Sequence, residues 1–205
     1  TACHTDRDAD WAAEEIEARF PDSDARGGHF GLTLARGRQN PVAAAGDLTD
    51  LAFDMDQPGI VRATALWLLQ NTNDPEIAER VVPLLDDEQA EVRASAANVQ
   101  RMAGPQDRIV RLVDLLDDPV RSVRMAAARE LLDAPIVRLP SSTQADLDAA
   151  MREWRAALSS RLDYPETHLQ LAGIALTMRA FPQATAAFRE VVRLDPQRTE
   201  AWIML

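Results

Sequence analysis

The chain has 205 residues, 46% of them hydrophobic and only 5% aromatic, with a formal net charge of −11. That acidity, with a pI near 4.7, argues against nucleic acid and anionic membrane surfaces as partners, because both demand a basic face. No run approaches the ~20 apolar residues of a membrane-spanning helix, and the single Cys makes no internal disulfide, so it leaves the compartment open. Ala is abundant and clustered β-branched or aromatic residues are scarce, which predicts an all-α chain. All 22 basic residues are Arg. We read this as GC-rich codon usage rather than selection for guanidinium chemistry.

In chain order, a first helix is expected over 8–20, with Asp8 and Asp10 at its positive end and Pro21 closing it. A loop follows from Asp22 to Gly28. A second helix begins after His29, with Phe30, Leu32 and Leu34, and breaks between Gly37 and Pro41. Then one pattern recurs at a spacing of 31 residues: Asp56 with Val61-Arg62-Ala63, Asp87 with Val92-Arg93-Ala94, and Asp118 with Val123-Arg124-Met125. Self-similarity at this period predicts a stacked solenoid of helix pairs. The first helices are expected at 42–53, 77–85 and 108–116, and the second at 60–70, 91–102 and 122–133. Val61, Val92 and Val123 should point into the stack, while Ala65, Ala96 and Ala127 should let neighbouring helices approach closely. Arg62, Arg93 and Arg124 are expected to form an exposed ladder with Asp56, Asp87 and Asp118.

After the linker from Pro135 to Ser142 the period changes to 34 residues, as Ala150, Trp154 and Ala157 correspond to Ala184, Phe188 and Val191. The expected organisation is 1–40 as an N-terminal region with capping helices, 41–139 as the first solenoid and 140–205 as a second set of helix pairs. The chain lacks a starting Met and stops inside a repeat, so it reads as a piece of a longer protein. Catalytic patterns are missing: there is no paired C-x-x-C or H-E-x-x-H, no phosphate-binding glycine loop and no G-x-S-x-G. The expected role is therefore non-enzymatic.

The acidic turn followed by Val-Arg and an Ala-rich helix resembles HEAT repeats over Pro41 to Asp133. Within Pro165 to Arg198, the placing of Leu171, Ala172, Ala184, Phe188 and Pro196 resembles a tetratricopeptide repeat (TPR), with Trp202 and Leu205 opening a further unit. Ala175 and Arg179 depart from that pattern, Arg179 standing where the family places Gly, so an irregular turn between the two helices is expected. The TPR resemblance implies a partner groove at Glu166, Leu169, Gly173, Leu176 and Thr177. These positions lack the basic set with which some TPR domains clamp a peptide carboxylate. His168 falls at a packing position.

Thr1-Ala2-Cys3-His4 matches the last four residues of C-x-x-C-H, in which two thioethers hold haem and the adjacent His ligates iron. Cys3-His4-Thr5-Asp6, followed at once by a helix with Trp11-Ala12-Ala13 and then HEAT and TPR segments, resembles the final haem motif of bacterial multihaem c-type cytochromes. That resemblance implies haem c in the full-length protein and none bound to this piece alone. It assigns Cys3 a thioether, paired with a Cys upstream, and makes His4 the axial iron ligand. His29, before Phe30, becomes a candidate second ligand or haem neighbour, beside the plainer reading of His29 as the start of the second helix. The resemblance further implies an extracytoplasmic, periplasmic setting, electron transfer in the parent, and a protein or peptide partner such as a redox protein. HEAT-like repeats also occur in bilin lyases, which handle tetrapyrroles, and a scaffold with no haem connection is the third reading.

Overall fold

A computed structural model describes residues 5–22, 29–135 and 138–205. Those residues form twelve α-helices with short 3-10 turns and contain no strand. Cys3 and His4 lie outside them.

Helix α1 (Ala9–Arg19) starts where Asp8 accepts a hydrogen bond from the Trp11 amide at 2.8 Å, satisfying one of the orphan donors of a first turn. It buries no residue of its own. Helix α2 (Phe30–Gln39) is capped by His29, whose Nδ1 accepts from the Gly31 amide at 3.0 Å. The helix ends at Gln39, within the break expected between Gly37 and Pro41. Gly37 is a buried helical residue whose added Cβ would sit 2.9 Å from Leu48, so the glycine serves close packing rather than a turn.

The solenoid then follows the 31-residue period. Helices α3 (Ala45–Phe53) and α4 (Gly59–Leu69) make the first pair. The second pair is α5 (Pro75–Arg80), extended by a 3-10 turn over Val82–Asp86, and α6 (Ala90–Val99). The third is α7 (Pro105–Leu112), with a 3-10 turn over Asp114–Asp117, and α8 (Arg121–Glu130). The helix expected over 77–85 is thus split. Pro83 has no amide to donate and its ring would crowd the Glu79 carbonyl, so the chain tightens there. The second helices α4, α6 and α8 stack side by side as one layer, and α9 (Ser141–Ser159) packs on α8 as the next member of the row.

The repeated small and β-branched residues do what their spacing predicts. Val92 and Val123 are fully buried and Val61 nearly so, while Ala65, Ala96 and Ala127 have no exposed surface. Leu34 at one end and Ala150 at the other belong to this same core. Helices α10 (Pro165–Thr177), α11 (Phe181–Leu194) and α12 (Thr199–Ile203) enclose a smaller, separate core around Ala172, Ala184, Phe188 and Val191. Packing therefore joins α9 to the first core, although its 34-residue correspondence groups it with the helices that follow.

The turn between α10 and α11 explains how Arg179 occupies a glycine position. Arg179 adopts φ 55°, its amide donates to the Leu176 carbonyl at 2.9 Å, and the Ala180 amide reaches back to Ala175 at 2.7 Å. This is a Schellman ending with Arg in the left-handed place that glycine takes without strain.

Candidate partner-binding surface

The Arg ladder exists, but its rungs differ from the expected ones. Arg62 pairs with Asp87, Arg93 with Asp118, and Arg124 with Glu153, so each guanidinium reaches the next unit rather than the Asp six residues before it. Asp56 takes no part and stays exposed in its turn. The rungs are also more buried than expected: Arg62 is 1% exposed, and Asp118 8%. Each pair is two-pronged. Arg93 Nε and Nη2 donate to the two Asp118 oxygens at 2.8 and 3.1 Å, and Arg124 meets Glu153 at 3.0 and 2.6 Å.

Each Arg also ties down its own unit. Arg62 Nε donates to the Ala52 carbonyl at 3.0 Å, and Arg93 and Arg124 Nη1 donate at 2.7 Å to the backbone carbonyls of Asp87 and Asp118. A lysine has neither the planar fork nor enough fixed donors for this double duty. At these three positions the Arg-only composition therefore has a structural use. Glu153 sits on α9 instead of an acidic turn, so α9 completes the ladder.

The field of these pairs acts on the carboxylates. Burial alone would push the Asp118 carboxyl up, but the Arg93 bond and the Val120 amide together outweigh it and hold the group below its ordinary 3.8. Arg124 chiefly lowers the Glu153 carboxyl below its ordinary 4.5. Arg93 and Arg124 are shifted upward in turn by their hydrogen-bonded carboxylates. A second cross-unit tie uses the fully buried Gln100, which donates to Ala78 at 2.9 Å and accepts from Arg111 at 3.0 Å.

Residues 47–132 match the family model for HEAT repeats. HEAT repeats are generally non-catalytic scaffolds for other proteins, and their stacking creates extended binding surfaces. No curated protein matches the chain. No described helix is long and apolar enough to cross a membrane, and no three metal-binding side chains are grouped among the described residues.

The HEAT stack ends at a seam with α10. Trp154 and Leu158, both buried on α9, lie between the two cores, and a cleft opens on each side of Trp154. The larger, about 1090 Å³, is lined by Arg121, Met125, Leu158, Arg161, Tyr164 and one carboxylate, Glu166, among others. The smaller, about 250 Å³, is lined by Arg101, Arg129, Leu132, Gly173 and Ile174. Trp154 and Gln170 border both.

The five groove positions expected on α10 are not one open face. Leu169 and Leu176 are half-buried against the α10–α12 core, and Glu166 pairs with Arg198. Gly173 is open, with nothing within 4 Å of an added Cβ, and Thr177 hydrogen-bonds the Gly173 carbonyl at 3.0 Å. His168 is buried and donates through Nε2 to the Leu162 carbonyl at 2.9 Å. Exposed His29 spends its Nδ1 lone pair on the helix cap. Neutral imidazole capping in this way carries its proton on Nε2, leaving no lone pair there for iron. Sequence reasoning missed the basic clefts beside Trp154, although one signal was available. Residues 138–205 hold eight Arg against eight Asp and Glu, so the whole excess of acid lies before them.

Proposed function

We propose that this chain is the protein-docking segment of a bacterial multihaem c-type cytochrome, itself non-catalytic and working outside the cytoplasm. The single observation behind the docking role is the ladder-locked HEAT stack ending in clefts at α9 and α10. A surface held by two-pronged pairs across every unit loses little conformational freedom when a partner binds. The helix pair α10–α11 reads as a TPR unit, supported by the close approach at Ala172 and Ala184, the buried Phe188 and the glycine-type turn at Arg179.

The haem connection rests on Cys3 and His4, which would supply a thioether and an axial imidazole. Bound there, haem would give the parent protein its electron-carrying group. His29 as folded does not fit iron, because its cap and an Nε2–iron bond compete for one proton arrangement. It is assigned to the helix start.

The test is expression of the full-length protein with cytochrome c maturation machinery, followed by mass spectrometry of the peptide containing Cys3. Haem linked at Cys3 is the expected result. Unmodified Cys3 would leave a HEAT scaffold with no role in haem chemistry.

A further inference from the structure

The clefts beside Trp154 are basic although the chain carries −11 overall. Three carboxylates close to them are already paired. Glu130 is shared by Arg101 at 2.9 Å and Arg129 at 2.8 Å, Glu153 is held by Arg124, and Glu166 by Arg198. Guanidinium groups are left over. Arg161 makes no ion pair among the described residues, and Arg121 donates to the backbone carbonyl of Glu153 at 2.9 Å and lends its charge to that carboxylate without a direct ion pair. Between these cations lies an apolar floor, with Met125 and Leu158 in the larger cleft and Leu132 and Ile174 in the smaller.

We propose that the larger cleft binds an acidic peptide segment of a partner protein. Its carboxylates would sit on Arg161 and Arg121, and an apolar side chain would lie on Met125 and Leu158 beside Trp154. Two features select this occupant. Unpaired guanidinium forks match carboxylates in geometry as well as charge, and a cationic cleft on an acidic body steers an anionic segment to this one place. The proposal deepens the docking role by naming the partner's chemistry, and it rests on that role.

The probe is a short fluorescein-labelled Glu/Asp peptide with a central Leu, its affinity for the full chain read by anisotropy and compared with a Lys version. Saturable binding of the acidic peptide alone is expected, weakening as salt rises. Arg161→Glu should weaken it about tenfold. Arg189→Glu, at an Arg on α11 outside both clefts, should leave it unchanged. Gln170→Glu adds negative charge between the clefts without touching the core and should also weaken binding.

Any of four results would overturn the assignment: no binding, equal binding of the Lys peptide, equal effects of Arg161→Glu and Arg189→Glu, or complete displacement by single-stranded RNA at equivalent charge. Circular dichroism of each variant separates lost binding from lost folding. Haem linkage at Cys3 is measured independently, so failure of the cleft assignment and failure of the cytochrome reading are distinguishable.

Discussion

Removing the guanidinium of Arg93 isolates the energetic role of the ladder. Arg93 holds both oxygens of Asp118 in the next unit and the Asp87 carbonyl in its own. The side chains of the pair are only 14% and 6% exposed. Breaking such a pair from one side leaves a carboxylate with little water and a single remaining donor, the Val120 amide at 2.7 Å. Truncating one partner of a buried pair costs ~3–5 kcal/mol, and the residual exposure of Arg93 puts Arg93→Met near the lower end, about 3 kcal/mol. For a domain of this size that lowers Tm by roughly 6–12 °C.

Pairing Arg93→Met with Asp118→Asn removes the stranded charge and keeps an acceptor for the Val120 amide. The double variant should therefore recover most of the loss and sit within about 1 kcal/mol of the parent. Arg36→Met is the control. Its pair with Asp47 is more than half exposed on both sides and should contribute less than about 0.5 kcal/mol. Urea unfolding followed by circular dichroism measures all of these. The reasoning is refuted if Arg93→Met costs no more than Arg36→Met, or if the double variant loses the sum of its singles.

Acid should weaken the stack in a defined window. Asp118 and Glu153 are held below their ordinary 3.8 and 4.5, so their stabilisation is complete above those values and is lost as pH falls through the lowered ones. Stability should be flat from neutral pH to about 5 and decline below about 4, and urea midpoints across that range should show a shallower decline for Arg93→Met. Ala96→Leu or Ala127→Leu, at sites with no exposed surface, should cost ~1–3 kcal/mol through overpacking between stacked helices, again read as a shift in urea midpoint. Arg179→Gly should stabilise by about 0.5 kcal/mol, since relief of the left-handed conformation outweighs the added backbone entropy of glycine. An unchanged or lowered thermal midpoint would contradict that account.

The 31-residue spacing of Val61, Val92 and Val123 was by itself enough to determine the helix-pair solenoid and which residues enter its core. Period and residue type suffice there, because each unit can bury its apolar face only against the next. The start of α2 after His29 was legible from its local residues; the regular left-handed turn at Arg179 was not, because Arg carries no local signal for that conformation. The ladder partners were not. Asp87 lies six residues before Arg93 and 25 after Arg62, and sequence proximity favours the first choice. Stacking turns the carboxylates of Asp87 and Asp118 toward the preceding unit and leaves their backbone carbonyls for the Arg of their own unit. Glu153, on α9 and outside the repeat, had no periodic signal. The clefts beside Trp154 were equally hidden, since the mismatch between the two cores, where α9 meets α10, decides which Arg finds a carboxylate and which does not.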